Sequence, residues 1–338
     1  KYETLHYDKL IIAAGTTNNF FNMPQLQKSV FTIKSTSEAL RCRNEILDRL
    51  ERASMAHDDE KRRKLLSFVV IGGGPTGVEI AGAIGEMKRY ILQREYPSIN
   101  LEDLQITIIE GSDRVLRTMS HEASENALKS LKELMVNVRL GVNVRGYENN
   151  IVTLADGTEI YSETVIWTAG VTGVPFSVKS SAEPTYERGH RFPTDEYCRV
   201  SWADDVFAIG DIALMKSDPD YPEGHPQLAQ VAIQQSAVLA KNLNTGKFTR
   251  KFHYKDKGSM ATIGRNRAVA DLGRIHLSGY PAWVIWMFIH LISILGMRNK
   301  VTVLINWLWA YFTYGTSLRL LIHPDRYPLR SHWGEREP

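Results

Sequence analysis

Three glycines spaced as Gly72-x-Gly74-x-x-Gly77 are the residues whose type and spacing point most directly to chemistry. They follow the apolar run 65–71 and precede a helical stretch that begins at residue 78. In that setting the first glycine permits a tight turn, the second lets the backbone approach a pyrophosphate, and the third lets helix and strand pack closely. The helix N-terminus adds free N–H groups and partial positive charge. The spacing therefore predicts a dinucleotide site, and a glycine turn without ligand is the alternative.

Glu110 is a second candidate for the same site, because it closes the short apolar run 106–109. A carboxylate at such a strand end binds ribose hydroxyls and repels a 2′-phosphate, so Glu110 favours NADH over NADPH. It lies farther from the glycines than the usual ~20 residues, and we expect 88–104 to be an inserted helical excursion. A solvated acid at a strand end is the alternative. Thr76, inside the glycine turn, is also assigned to cofactor binding.

The elements around these residues alternate between strands and helices. Short apolar runs predict strands buried on both faces, and longer stretches between them predict helices. This succession is the βαβ pattern of a doubly wound parallel sheet, so the predicted fold class is α/β. The predicted strands are 4–14, 65–71, 106–109, 159–169 and 206–211, and the predicted helices are 35–63, 78–90, 120–135 and 227–243.

Composition limits the function classes further. The 338 residues suffice for two or three domains, and 43% of them are hydrophobic. Residues 251–338 hold twelve Lys and Arg against five Asp and Glu, whereas the whole chain carries only +3. A basic C-terminal part indicates a polyanionic surface partner, either nucleic acid or anionic lipid.

The chain has two cysteines, Cys42 and Cys198, far apart in sequence, and no CxxC or metal-ligand spacing. We expect two reduced thiols and no metal site. Disulfide reductases of the flavoprotein class need a close redox-active cysteine pair, which this sequence does not contain.

Taken together, these features resemble the flavoproteins with two dinucleotide-binding domains, in which an NADH domain is inserted into an FAD domain. In that family, strands that end in Ala-Gly and a later Gly-Asp return to the FAD. The matching pieces here are Ala14-Gly15, Ala169-Gly170 and Gly210-Asp211. The resemblance implies that Gly15, Ala169, Gly170 and Gly210 lie at the cofactor and that Asp211 binds the ribityl chain of FAD.

The resemblance narrows to type II NADH dehydrogenases, the single-chain, non-pumping NADH:quinone oxidoreductases. The C-terminal apolar region and three shorter stretches carry it. The most specific is the Ala-Gln-x-Ala-x-Gln stretch, which in that family lies beside the isoalloxazine and the quinone pocket. The shorter stretches are Gly72-Gly73-Gly74-Pro75-Thr76-Gly77-Val78-Glu79, Trp167-Thr168-Ala169-Gly170-Val171 and Ala229-Gln230-Val231-Ala232-Ile233-Gln234.

The resemblance implies catalytic roles for Glu79, Gln230 and Gln234, and a cofactor contact for Ala229. Gln230 and Gln234 are four residues apart and share a helix face, and neutral amides suit quinone carbonyls without trapping a charge. Two surface glutamines are the alternative. Glu79 would lie near the nicotinamide and flavin, tuning hydride donation or proton delivery. Its alternative is an ordinary first-turn acid favoured by the helix dipole.

The resemblance covers essentially the whole chain, except that the family's first glycine-rich βαβ unit is missing. The N-terminus lacks an initiator Met, and we take the chain to be a fragment. The predicted segments are 1–64, part of the FAD domain with a linker helix; 65–168, the NADH domain; 169–250, the continued FAD domain; and 251–338, a membrane-anchoring, quinone-side region.

Four of the seven tryptophans lie close together within residues 283–309, which is typical of a water–lipid interface. The spacing of apolar and polar residues also predicts an amphipathic helix with basic flanks, and such a helix lies in the membrane surface. The expected location is therefore monotopic, on the cytoplasmic face, and lipid is favoured over nucleic acid. A spanning helix over 301–318 and a soluble dimerisation helix, hence a homodimer, are the alternatives. The four tryptophans are Trp283, Trp286, Trp307 and Trp309. The apolar face of the predicted helix consists of Val301, Leu304, Ile305, Leu308, Trp309 and Phe312, and its polar face consists of Thr302, Asn306, Thr313 and Ser317. The basic flanking residues are Arg298, Lys300 and Arg319.

The sequence thus predicts an FAD-dependent oxidoreductase that passes hydride from NADH to FAD and two electrons to a membrane quinone. One alternative is a soluble NADH-dependent flavin reductase of a ferredoxin or rubredoxin partner. Another is a membrane-associated protein that binds NADH without turnover. Sulfide:quinone reductase is disfavoured, because two distant cysteines do not supply its thiol chemistry.

Overall fold

The computed structural model describes residues 5–178, 182–294 and 296–313. The strands are β1 Leu10–Ile12, β2 Thr16–Asn18, β3 Ser67–Ile71, β4 Gln105–Ile109, β5 Asn137–Arg139, β6 Val144–Glu148, β7 Ile151–Leu154, β8 Glu159–Tyr161, β9 Thr164–Trp167, β10 Val171–Gly173, β11 Phe192–Thr194, β12 Val206–Ala208, β13 Ala213–Met215, β14 Ser259–Gly264, β15 Arg267–Leu272 and β16 Ile275–Ser278. The helices are α1 Thr36–Ser54, α2 Asp59–Leu65, α3 Pro75–Glu86, α4 Leu92–Glu95, α5 His121–Glu133, α6 Ala229–Thr245, α7 Gly279–Ser293 and α8 Met297–Thr313.

The chain forms two compact α/β units. The first unit contains residues 1–19 and 170–257, and the second contains residues 20–169 and 258–338. The stretch 20–169 is thus inserted between two pieces of the first unit in sequence. The α/β fold class is confirmed, whereas the assignment of the four predicted segments to FAD, NADH and membrane stays a prediction.

The second unit is built on a parallel four-stranded sheet in the order β5-β4-β3-β9. Strand β3 is central and apolar, and its alternating side chains enter two different cores. Phe68 and Val70 pack with residues of α1, α3 and α5, while Val69 and Ile71 pack with residues of the antiparallel sheet β6-β7-β8. The buried strand predicted before the glycine turn is therefore present, with helices on one face and a second sheet on the other.

The single helix predicted over 35–63 is wrong, because the structure divides it into α1 and α2. Helix α1 begins with a capping box, in which Ser35 accepts from the Glu38 N–H and Glu38 accepts from the Ser35 N–H. Asp58 then caps α2 by accepting from the N–H groups of Glu60 and Lys61. Asp58 is a favourable N-cap residue within the charged stretch, so a new helix begins after it and the predicted helix is interrupted there.

The C-terminal part of the second unit contains an antiparallel sheet, β14-β15-β16, that the sequence analysis did not anticipate. Helix α7 packs mainly on β15 and also touches β14 and β16. Helix α3 lies against β14 so closely that a Cβ on Gly82 would be 1.8 Å from the carbonyl oxygen of Ile263. Each helix in the described part of the chain is too short or too polar to cross a membrane.

The first unit contains three strand pairs and α6. Strands β1 and β12 are parallel, β2 and β10 are antiparallel, and β11 and β13 are parallel. The strand predicted over 4–14 is shorter than expected, since only Leu10–Ile12 finds a partner among the described residues. Helix α6 ends at Gly246 in the left-handed conformation, with φ +65°.

Candidate functional site

The glycine turn lies at the carboxyl end of β3, where α3 begins. Gly72 has φ +109°, and a Cβ there would lie 2.8 Å from the backbone nitrogen of Ala169. A Cβ on Gly77 would lie 1.8 Å from the carbonyl oxygen of Gly72. Both positions therefore exclude any larger residue, as predicted from the spacing.

Gly74 differs from its neighbours, because a Cβ there would meet no atom within 4 Å. It is the N-cap of α3, carries no capping side chain and is followed by Pro75 at the first helical position. No side chain among the described residues caps the first turn, which includes Thr76, so its N–H groups lack a capping acceptor. The residues present fit a pyrophosphate, which needs close backbone approach and N–H donors.

Glu110 lies beside this turn, at the end of the strand next to β3. Its Oε2 accepts from the Gly73 N–H at 2.5 Å, and its Oε1 accepts from the N–H and the hydroxyl of Ser112, each at 2.7 Å. A carboxylate has about four lone-pair sites, so one remains for a ribose hydroxyl. The 37-residue separation from Gly73 is spanned by α3, a π-helical turn at Met87–Ile91, α4 and a 3₁₀ turn at Leu101–Asp103. The structure thus contains the helical excursion expected over 88–104.

Thr168 also belongs to this site, although the sequence analysis assigned no role to it. It directly follows β9, the other neighbour of β3, and its hydroxyl donates to the carbonyls of Ile71 and Gly72. Its oxygen would also lie 2.8 Å from a Cβ on Gly77. Thr168 therefore holds the turn from the side opposite Glu110, and its place at the end of a parallel strand was the available signal.

Glu79 lies one turn into α3 and is partly buried. Burial raises the pKa of its carboxyl group, whereas the Thr262 N–H and the positive charge of His290 act in the opposite direction. The Thr262 N–H points to Oε1 from β14 at 3.4 Å. The role predicted for Glu79 at the nicotinamide and flavin stays a prediction.

In the first unit, the parallel strands β1 and β12 end side by side. Gly15 follows β1 with φ +69°, and a Cβ on it would meet nothing within 4 Å. Asp211 follows β12, and its Oδ2 accepts from the Thr16 hydroxyl at 3.2 Å. The Gln227 amide donates to the Asp211 carbonyl at 3.2 Å. The structure therefore brings Gly15 and Asp211 together, with a carboxylate and open backbone that fit a polyhydroxyl chain.

Gly210 has φ +72°, and its N–H donates to the side-chain oxygen of Gln235 at 2.7 Å. Gln235 is 1% exposed on α6. Sequence reasoning chose its neighbours Gln230 and Gln234 and missed Gln235, because pattern alone does not show which face of α6 meets the Gly-Asp turn.

Gln230 and Gln234 do share a helix face, and both side chains contact the same piece of backbone. Gln234 donates to the carbonyl of Lys255 and accepts from its N–H, at 2.9 and 3.1 Å. Gln230 accepts from the Lys257 N–H at 3.1 Å. Ala229 is the first residue of their helix. Their predicted role toward a quinone stays a prediction, and the structure adds that they hold residues 255–257 against α6.

Asp218, Asp220 and His253 place three side chains of metal-ligand type within 4.8 Å of one another. The Asp218 carboxylate is already engaged: Oδ2 is 2.9 Å from Nε2 of His225 and 3.0 Å from the Tyr254 N–H, and Oδ1 is 3.0 Å from Nδ1 of His253. Because each oxygen has partners, the arrangement is explained as a hydrogen-bonded cluster without an ion.

The sequence model described as pyridine nucleotide-disulphide oxidoreductase matches residues 1–236. The chain belongs to the pyridine nucleotide-disulphide oxidoreductase family. A second model, the NDH2 C-terminal domain, matches residues 256–314. The two models match separate stretches, so together they account for residues 1–236 and 256–314.

Two curated relatives are similar to most of this chain. The type II NADH:quinone oxidoreductase Ndh of Mycobacterium tuberculosis is 34% identical over 89% of this chain and 66% of its own length. The internal alternative NAD(P)H-ubiquinone oxidoreductase A1 of Arabidopsis thaliana is 32% identical over 92% of this chain and 64% of its own length. The chain thus spans just under two thirds of these relatives.

Among solved structures, NDH2 from Plasmodium falciparum, determined in complex with NADH, superposes with a TM-score of 0.83. The match covers 94% of this chain and 80% of that chain at 22% identity. This similarity concerns the fold and agrees with the membership in the pyridine nucleotide-disulphide oxidoreductase family.

The two cysteines of this family member do not form a redox pair. Both are buried and free, and burial raises the pKa of each thiol to about 12. Cys42 belongs to the second unit and Cys198 to the first. A thiol that resists ionisation is a poor nucleophile, so the burial of each cysteine disfavours thiolate chemistry there.

Proposed function

We propose that the protein is an FAD-dependent NADH:quinone oxidoreductase that does not pump protons. The observation that carries the proposal is the open N-terminus of α3, which lies above the glycine turn with Glu110 at the neighbouring strand end. This geometry supports binding of a dinucleotide whose ribose carries no 2′-phosphate. The relatedness to type II NADH dehydrogenases supports NADH as donor and a quinone as acceptor.

Bound FAD would supply the chemistry of hydride acceptance and electron release. The residues of this chain bind and orient. The α3 N-terminus holds the NADH pyrophosphate, Glu110 binds the adenosine ribose, and Asp211 with Gly15 and Gly210 receives the ribityl side of FAD. Glu79 holds an exchangeable proton, and Gln230 and Gln234 present amides to the quinone while fixing residues 255–257.

We further propose that α7 and α8 lie in a membrane surface, on the side that faces the cytoplasm. The face predicted for α8 is solvent-exposed: Trp309 is 70% and Phe312 78% exposed, and Val301, Leu304, Ile305 and Leu308 are exposed as well. On α7, Phe288 is 62% exposed. Large apolar side chains in this number are unfavourable in water and suit lipid. Ser317 and Arg319 lie outside the described residues.

Stopped-flow spectroscopy of the flavin-loaded protein tests the enzymatic proposal. NADH should bleach the flavin absorbance, and a short-chain quinone added next should restore it. A flavin that NADH reduces but quinone does not reoxidise would contradict the acceptor. Rapid reoxidation by ferredoxin or rubredoxin instead would favour the soluble reductase.

Liposome flotation tests the membrane proposal. The Phe288→Glu, Trp309→Glu double variant should lose binding to vesicles that contain anionic lipid, whereas exchanging exposed charges on α5, as in Lys129→Glu, should reduce it little. Unchanged binding of the double variant would remove α7 and α8 as the anchor. Sedimentation of both proteins without lipid shows whether the same face instead joins two copies of the chain.

A further inference from the structure

In the proposed NADH site, the pyrophosphate and the adenosine ribose have partners, whereas the adenine base has none yet. The α3 N-terminus receives the pyrophosphate, and Glu110 receives the ribose. In a nucleotide the ribose lies between the phosphate and the base, so the base continues beyond Glu110 in the same direction. The assignment of a partner for the base rests on the proposed function, because it extends the same NADH site.

The order of the parallel strands gives this direction. Strand β3 ends in the glycine turn, β4 ends at Glu110, and β5 lies on the far side of β4. Neighbouring strands are about 4.8 Å apart, and the carboxyl ends of parallel strands lie at one edge of the sheet. The direction from pyrophosphate to ribose, which runs from β3 to β4, therefore leads on to the end of β5, where residues 140–143 leave the sheet.

Residues 141–143 are held beside the segment that follows β4. The Gly141 N–H donates to the Ser112 carbonyl at 2.8 Å, and the Val142 N–H donates to the Glu110 carbonyl at 3.2 Å. The two segments that leave β4 and β5 thus lie side by side, next to the carboxylate proposed to bind the ribose.

Asn143 places a side-chain amide at this position. A Cβ on Gly111 would lie 2.3 Å from the Asn143 Oδ1, so the amide lies directly against the residue that follows Glu110. The Asn143 carbonyl accepts from the Ala155 N–H at 2.8 Å, which fixes the backbone. Asn143 is exposed, and no group in the described part of the chain donates to its side-chain amide or accepts from it. The amide is therefore held beside Glu110 with its hydrogen-bonding groups available to a ligand.

The chemistry of an amide matches that of adenine. Adenine presents a 6-amino donor beside a ring-nitrogen acceptor, and an asparagine amide offers an acceptor oxygen and a donor nitrogen that pair with both. Hypoxanthine carries a carbonyl oxygen in place of the amino group, so it loses the hydrogen bond to the amide oxygen. The neighbouring Ser112 hydroxyl already donates to Glu110 and to the Arg114 carbonyl, at 2.7 and 2.8 Å, and is not available in the same way.

We propose that Asn143 selects adenine: its amide oxygen accepts from the 6-amino group of the base, and its amide nitrogen donates to the adjacent ring nitrogen. Asn143 then touches the substrate far from the nicotinamide, so it determines affinity and base specificity. Gly111 serves the same purpose, because a side chain at that position would displace the amide.

Calorimetric titration of the flavin-loaded protein with NAD⁺ and with its hypoxanthine analogue tests this assignment. The two nucleotides differ only at position 6 of the base, and neither transfers hydride to oxidised flavin, so binding is measured without turnover. The wild-type protein should bind NAD⁺ at least about fivefold more tightly, the lower end of what an amide–adenine pair contributes. Asn143→Ala should bind both nucleotides with equal affinity. A variant that keeps the wild-type ratio of affinities would overturn the proposal, even if it bound both nucleotides more weakly.

Two control variants sharpen this comparison. Asn100→Ala changes another exposed asparagine of the same unit, and Asp113→Ala removes an exposed carboxylate close to Gly111 in sequence. Both should keep the wild-type ratio, and its loss in Asp113→Ala would assign the 6-amino group to Asp113 instead. A wild-type protein that binds neither nucleotide contradicts the proposed function, and the role of Asn143 falls with it. Tight binding of NAD⁺ without any preference over the analogue contradicts the role of Asn143 alone.

Discussion

At the scale of single residues, Glu110 does two things at once. It binds Gly73 and Ser112, and so shapes the glycine turn, and it leaves one acceptor site on the side where a ribose belongs. The preference for NADH is therefore a consequence of charge, whereas the shape of the turn depends on hydrogen bonding. An amide at this position removes the charge and keeps one of the two acceptor oxygens, so the change in nucleotide preference is compared with a measurement of folding.

Glu110→Gln should accordingly relax the preference for NADH over NADPH. A neutral amide no longer repels a 2′-phosphate, so the ratio of kcat/KM values should fall about tenfold, the equivalent of ~1.4 kcal/mol. The ratio is measured by initial rates with each nucleotide. Glu125→Gln, an exposed acid on α5, serves as control. An unchanged ratio with normal folding would remove Glu110 from the ribose role.

The sequence allowed the glycines and Glu110 to be predicted because their roles follow from local spacing and a strand end. Thr168 and Gln235 could not be predicted in the same way. Thr168 binds the carbonyl of Ile71, 97 residues away, and Gln235 binds the N–H of Gly210, 25 residues away. Such partners are decided by which strands become neighbours and which helix face turns inward, and neither is encoded in a short motif.

At the scale of elements, a close backbone approach in the second unit joins α3 to β14. Gly82→Ala would place a methyl group 1.8 Å from the Ile263 carbonyl oxygen, so helix and strand must separate. Overpacking of this kind costs about 1–3 kcal/mol or more. Urea denaturation should show this decrease in the free energy of unfolding. Gly146→Ala, where a Cβ meets nothing within 4 Å, should change stability little. Equal losses in both variants would contradict the packing argument.

The sheet β14-β15-β16 shows why part of the fold escaped prediction. The apolar, Trp-rich stretch that follows it dominated the interpretation of 251–338, and the residues of the sheet alternate only weakly between buried and exposed. Conversely, the helical structure of α8 could be predicted from the sequence. A long helix repeats its pattern over several turns, whereas a strand of four to six residues offers few repeats.

At the scale of the whole molecule, the insertion of 20–169 between two pieces of the first unit follows from where strands end. Parallel strands must be joined by long connections, so a second unit can enter such a connection without disturbing the sheet it leaves. The resemblance implies that the chain returns to the FAD domain at Ala169-Gly170, and the first unit resumes at residue 170; that this unit binds FAD stays a prediction. Without the resemblance, the residues alone would not mark this boundary, because the stretches on both sides of residues 169–170 look equally strand-like.

The integrity of the first unit should depend on pH through Asp218. The Asp218 carboxylate joins a loop, the buried His225 and the backbone of Tyr254. Burial would raise its pKa, but hydrogen bonds from His225 and from the N–H groups of Tyr254 and Asp220, with the charge of His253, lower the pKa from 3.8 to about 2. A folded-state pKa below the unfolded value means that the stabilisation is complete above about pH 4 and is lost as the pH falls through about 2.

Asp218→Asn should therefore lower Tm at pH 6, because it leaves His225 and His253 without their carboxylate, by the equivalent of about 1–3 kcal/mol. The difference in Tm between wild type and variant should shrink between pH 4 and pH 2, since protonation removes the same charge from the wild type. Calorimetry at a series of pH values measures it. Asp204→Asn, whose side chain is fully exposed, should show no such convergence. A difference that stays constant down to pH 2 would mean that the ionised carboxylate does not hold this unit together.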